Sequence, residues 1–132
     1  MQTHTAKRVE IVIEAPLERR LTEALTTAGV TGFTVLPVLG GSGKSGRWSR
    51  EGQVGRAGGM VAVICLIRPD RLDGLLEAAF AVIERHIGVV SVTDCQVLRA
   101  ERFCTTAAAF YRPDRAAFGD HRIVRGISAL LA

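Results

Sequence analysis

The chain has 132 residues, 48% of them hydrophobic and 23% charged, with a formal net charge of +4 at pH 7. That length and balance specify one domain able to bury a core, and they exclude a disordered chain. Aromatic content is only 5%, which argues against a nucleic-acid surface built from stacking side chains.

In chain order, Val9, Ile11 and Ile13 alternate with Glu10, Val12 and Glu14, the pattern of a strand with one strongly apolar face. Glu10 and Glu14 are then expected to face solvent at a sheet edge. Pro16 opens a helix, where its missing N–H does no harm. Leu17, Leu21, Ala24, Leu25 and Ala28 mark its buried stripe, and Gly29 ends it. A second strand is expected over 31–39. It contains Pro37, which places it at an edge or at a bulge. The run 60–67 is apolar throughout and reads as a strand buried on both faces. Pro69 starts a second helix, with Leu72, Leu75, Leu76, Ala79, Phe80 and Ile83 at helical spacing, and His86 and Gly88 punctuate its end. A fourth strand is expected over 89–98. The order is βαββαβ, an α+β, ferredoxin-like arrangement with a long loop between the second and third strands. Residues 1–103 form this domain. Residues 104–132 form a C-terminal tail, with a turn signal at Arg112-Pro113-Asp114 and a short helical pattern at Ile123, Ile127, Leu130 and Leu131.

The loop, residues 40–59, is the richest segment. It holds eight of the fourteen glycines, the only tryptophan, and Lys44, Arg47, Arg50 and Arg56 against Glu51 alone. Loops of this length inside a small domain are usually functional or disordered. Gly41, Ser42, Gly43 and Lys44 offer backbone N–H groups, a hydroxyl and a cation within one short turn, which suits an oxyanion. The same residues equally suit a solvated hinge. Arg47, Trp48 and Arg50 are candidate partner contacts, with Trp48 as the anchor. Gly58 and Gly59 close the loop and let backbone approach a ligand, or serve turn geometry alone.

The three cysteines, Cys65, Cys95 and Cys104, match neither a disulfide framework nor a zinc site, and Cys65 reads as a core thiol. A reducing cytoplasm fits that usage. The first eight residues are polar and no apolar run approaches a membrane span, so neither a secretory signal nor membrane insertion is expected. His4, His86 and His121 lack metal-ligand spacing, and Gly43-Lys44-Ser45 is only a fragment of a phosphate-binding loop motif. With no nucleophile motif either, the chain is not read as an enzyme.

The arrangement resembles the PII signalling family over about residues 8–103. Three stretches carry the closer likeness: the strand 31–39, the segment Gly58-Gly59-Met60-Val61-Ala62-Val63, and Arg85-His86-Ile87-Gly88-Val89-Val90. With the loop, they look like the PII-like branch associated with inorganic-carbon uptake and carboxysomes. The resemblance implies a cytoplasmic homotrimer that binds an adenine nucleotide between subunits. The long loop becomes a T-loop that reports ligand state to a partner, such as a bicarbonate transporter or a carboxysome component. Carried onto this chain, the nucleotide site comprises Gly41, Ser42, Gly43, Lys44, Gly58, Gly59, Arg85, His86, Gly88, Val89, Arg99 and Arg102. Bicarbonate would share Gly41, Ser42, Gly43 and Lys44. Departures also matter. The only tyrosine is Tyr111, outside the loop, and the loop base 39–43 has no glutamine, unlike nitrogen-control members. The segment 85–89 lacks lysine, which favours ADP or AMP over ATP. Two alternatives remain: a ligand-independent trimeric adaptor that docks a partner through the loop, and a PII-type nitrogen regulator.

Overall fold

The computed structural model describes residues 1–44, 46–49 and 59–99. Six strands and two helices follow in the order β1 (His4–Glu14), α1 (Glu18–Thr27), β2 (Phe33–Val38), β3 (Gly40–Gly43), β4 (Gly46–Ser49), β5 (Met60–Ile67), α2 (Leu72–Ile83) and β6 (Gly88–Val97). Four strands make one sheet in the order β2-β5-β1-β6, and β3 pairs with β4 separately. Every pairing in the main sheet is antiparallel to β1 or β5. Strands joined through a helix are therefore parallel and non-adjacent, as the split βαβ arrangement requires. The α+β, ferredoxin-like reading holds.

The core lies between the helices and one face of this sheet. Val9, Ile11 and Ile13 of β1 and Val63 and Cys65 of β5 meet Leu21 and Leu25 of α1 and Leu75 and Ala79 of α2. β5 is buried from Val61 to Ile67, on both faces, because it is a central strand. Pro37 sits on β2, an edge strand, where its missing N–H interrupts no ladder on the outer side. Gly29 ends the first helix at φ +96°, a conformation that favours glycine.

Several expectations change in detail. Pro16 and Pro69 lie in short 3-10 turns, Ala15–Leu17 and Pro69–Arg71, and the α-helices begin just after them. Phe80 is 62% exposed and stands off the buried face. It lies roughly 140° around the helix from Leu75, so Val82 takes its place in the stripe, which reaches Ile83 as expected. β1 is central rather than at an edge, and it extends back to His4 because β6 pairs with it along its whole length. Lys7 and Asp94 form an ion pair across that extension.

Residues 40–49 are not featureless. Gly40–Gly43 and Gly46–Ser49 form a small antiparallel hairpin with Gly41 opposite Trp48 and Ser42 opposite Arg47. Gly46 has φ +102°, which helps turn the chain. A Cβ on Gly41 would lie 2.9 Å from the Trp48 ring, so the bare glycine lets the indole lie flat against the backbone.

Candidate functional site

Four strand ends converge at one end of the main sheet. Register pairs Glu14 with Met60, Val38 with Met60, and Ile13 with Gly88. The end of β1 is therefore flanked by the start of β5, where the long loop closes, and by the start of β6, where the α2–β6 turn arrives. The end of β2, where the loop opens, lies beyond β5. Residues far apart in sequence become neighbours because all four strands begin or finish here.

Two interactions tie these segments together. The Ala15 N–H donates to the Gly59 carbonyl at 2.8 Å, fixing the closing base of the loop to the end of β1. One residue earlier, the Glu14 carboxylate lies 3.4 Å from His86 Nδ1, with His86 exposed and Glu14 partly so. The α2–β6 turn is also held sterically. A Cβ on Gly88 would lie 3.2 Å from Ile13 Cγ2 and 3.3 Å from the Val12 carbonyl, so glycine permits the close approach. His86 N–H donates to the Ile83 carbonyl, closing the end of α2.

Among the residues named from the sequence, Gly59, His86 and Gly88 meet at this end of the sheet, with Val89 and Arg85 beside them. Val89 follows Gly88 at the start of β6, opposite Val12, and is exposed. Arg85 is exposed and lies 3.9 Å from Glu84, so its charge has a partner on the surface. Gly41, Ser42 and Gly43 lie in β3, Lys44 follows in the exposed turn, and Arg47 and Trp48 lie in β4. Arg99 is elsewhere. It follows β6 at the opposite end of the sheet, with φ 56°, an uncommon conformation for a non-glycine residue. β6 is ten residues long, so Arg99 is separated from Gly88 by roughly 30 Å. Arg50, Gly58, Arg102 and the tail 104–132 lie outside the described residues.

Glu14 is the residue that sequence reasoning misplaced. It faces solvent in part, as expected, but from a central strand rather than an edge, and beside His86, 72 positions away. Nothing local in the sequence announces that contact. Glu10 is likewise paired, with Arg8 at 2.8 Å.

Chemically, this end of the molecule offers glycine backbone, an imidazole and a guanidinium. Among the described residues no group of His, Cys, Asp and Glu is arranged to hold a metal ion. Cys65 lies in the core, where burial pushes its thiol up to about 12. Cys95 is half-exposed and raised in the same direction by burial, against the opposing effect of Arg8. Its thiol donates to the Ala6 carbonyl at 3.5 Å. Among the described residues no helix is long and apolar enough to cross a membrane.

The family model for nitrogen regulatory protein P-II matches residues 6–102. No match was found among curated proteins. Among solved structures, one similar protein is CPII, a nitrogen regulatory PII-like protein from Thiomonas intermedia K12, bound to ADP, AMP and bicarbonate. It is 29% identical, with a TM-score of 0.73 over 79% of this chain and 98% of that one. CPII bound to ADP and bicarbonate is 31% identical, with a TM-score of 0.67 over 77% of this chain and 97% of that one. A PII-like signalling protein from Thermus thermophilus shares the fold, at 23% identity and a TM-score of 0.64 over 78% and 99% of the two chains. Matched along most of its length by sequence and by fold, the chain belongs to the P-II family of regulatory proteins.

Proposed function

We propose that this protein is a PII-like regulator that binds ADP or AMP, together with bicarbonate. One observation carries the reading. A relative that this chain matches over 98% of its length has been seen with ADP, AMP and bicarbonate bound. The geometry supports it. Gly59, His86 and Gly88 converge at one sheet end, where backbone N–H groups and cations suit phosphate oxygens. The segment 85–89 has no lysine, so a diphosphate or monophosphate is favoured over ATP. Gly41, Ser42, Gly43 and Lys44 supply the bicarbonate-binding part of the site.

The site is incomplete within one chain. Arg99 stands at the far end of the sheet and reaches a phosphate held near His86 only from a second copy. A homotrimer with the nucleotide between subunits satisfies that requirement. Ligand binding then orders residues 40–59 as a T-loop by favouring one of its states, which needs only a difference in affinity between states. Arg47, Trp48 and Arg50 meet the partner. The partner belongs to inorganic-carbon metabolism in the cytoplasm, as a bicarbonate transporter or a carboxysome component. A nitrogen-control role fits less well. Tyr111 lies outside the loop, and 39–43 contains no glutamine.

Titration calorimetry with ADP, AMP and ATP, with and without bicarbonate, tests the reading. Binding of ADP or AMP, strengthened by bicarbonate, is expected. A flat titration at millimolar nucleotide overturns it. Lys44→Ala and Arg99→Ala are each expected to weaken ADP about ten-fold, the scale of one charge-assisted contact. Unchanged affinity in both removes these residues from the site.

A further inference from the structure

We propose that residues 121–132 dock as an amphipathic helix into an open groove of their own chain, between α2 and the edge strand β6. The groove follows from topology. β6 is the outer neighbour of β1, and a right-handed β5-α2-β6 connection lays α2 over that side of the sheet. At 100° per residue, Leu75, Ala79, Val82 and Ile83 point at the core, while Leu72, Leu76 and Phe80 form a ridge along one flank. The opposite flank faces α1. Arg71 marks it at the start of the helix, where its guanidinium lies 3.3 Å from the place of a Cβ on Gly29, at the end of α1. The ridge therefore looks toward β6. There Val90 and Val92 lie on the helix side of the sheet, paired with Ile11 and Val9, yet Val92 is 38% exposed. The helix layer stops short of this edge strand and leaves Phe80 and Val92 in water.

The rim of the groove is acidic. Asp73, Glu77 and Glu84 follow one another along the exposed face of α2, beside the ridge. Among the described residues Asp73 and Glu77 have no ion-pair partner, and Glu84 has only Arg85. The matching occupant is apolar on one face and basic beside it. At helical spacing, Ile123, Val124, Ile127, Leu130 and Leu131 share one face, Arg122 and Arg125 stand off it, and no acidic side chain follows Asp120. The segment also sets out from the right place. β6 finishes beside His4, at the sheet end where β5 leads into Pro69 and α2, so the chain leaves Arg99 at the mouth of the groove. Residues 100–122 can span up to roughly 75 Å, against about 18 Å for the length of α2. The segment lies beyond the stretch shared with the P-II family, and neither nucleotide nor trimer enters the argument.

Amide hydrogen exchange over residues 123–131 in the full-length, ligand-free protein tests the proposal. Exchange there is expected to be about ten-fold or more slower than the intrinsic rate, as in a docked segment. Phe80→Ser is expected to bring it within about two-fold of that rate and to leave exchange at Val9–Ile13 unchanged, because Phe80 stands outside the core. Glu77→Arg is expected to weaken protection about two- to three-fold at low salt, the scale of a surface ion pair. Intrinsic exchange rates over 123–131 in the parent protein overturn the proposal. So does protection that Phe80→Ser leaves intact, since the segment is then held elsewhere. Protection unchanged in Glu77→Arg overturns the charge match, and with it the choice of this segment. An isotope-labelled parent chain refolded with an excess of unlabelled Phe80→Ser chains is expected to keep its protection. Loss of protection in that mixture makes a second copy's groove the seat and overturns docking on the same chain.

Discussion

The two faces of the main sheet are built on different terms. Toward the helices, Val9, Ile11, Ile13, Val63 and Cys65 are completely buried under Leu21, Leu25, Leu75 and Ala79. On the opposite face the same central strands carry Arg8 and Glu10 beside Ala62, Ile64 and Leu66, while Leu36 on one edge strand is 44% exposed and Val89 on the other is 66% exposed. The helix side is completed by the chain itself. The other side mixes an ion pair with apolar residues, a composition suited to a surface that meets something else. The single chain is therefore sealed on the helix side of β1 and β5, while on the other side cover reaches β5 and leaves Leu36 and Val89 exposed on the edge strands.

The largest expected effect tests that division. Leu75→Ala removes a fully buried side chain from the helix side and should cost about 2–5 kcal/mol in urea unfolding. Leu36→Ala on the other face should cost under about 1 kcal/mol, since much of the side chain is already in water. If the Leu36→Ala cost is larger and shrinks as protein is diluted, that face is covered by another copy.

Cys65 sharpens the same contrast through pH. Its thiol goes from 9.0 when free up to about 12 in the fold, because burial opposes the thiolate. Below pH 9 both folded and unfolded chains hold the proton, and its stabilising effect is fully present. Above pH 9 the unfolded chain releases the proton first, so stability falls by about 1.4 kcal/mol per pH unit until the folded thiol also ionises near pH 12. Comparing Cys65→Ala with the parent protein across that window isolates the slope from other titrating groups. Parallel curves would show that Cys65 is not sealed.

Gly88→Ala should cost about 1–3 kcal/mol, because the added Cβ meets Ile13 and the Val12 carbonyl at the end of β1. Wherever the cost falls in that range, nucleotide binding should weaken in parallel if the turn belongs to the site. A destabilised variant that binds ADP normally would detach Gly88 from it.

The sequence made the core legible because burial leaves a periodic trace. Leu21 and Leu25, Leu75 and Ala79, and the alternation from Val9 to Ile13 each record one face of one element. Pro37 told its edge position through a missing donor. The hairpin at 40–49 left no such trace, since Gly-Gly-Ser-Gly has almost no side chains to alternate. The Glu14–His86 contact was illegible for a different reason. It depends on strand order, which brings the end of β1 beside the start of β6, and no local pattern encodes a neighbour 72 residues away.

Gly41→Ala gives the smallest energetic effect and the most local one. The hairpin is exposed on both strands, so the change should alter stability by no more than about 0.5 kcal/mol. Yet the new Cβ would stand 2.9 Å from one ring carbon and 3.1 Å from another of Trp48, which must swing away. Trp48 is the only tryptophan, so its fluorescence reports this movement without interference, as a shift toward the emission of a solvated indole. An unchanged spectrum would mean that the indole does not rest on Gly41 in solution. If the spectrum does shift and ADP binding is unaffected, the hairpin face carrying Trp48 is no part of the nucleotide site. If ADP binding falls as well, the indole's seat on Gly41 helps shape the neighbouring turn at Ser42, Gly43 and Lys44 for the nucleotide.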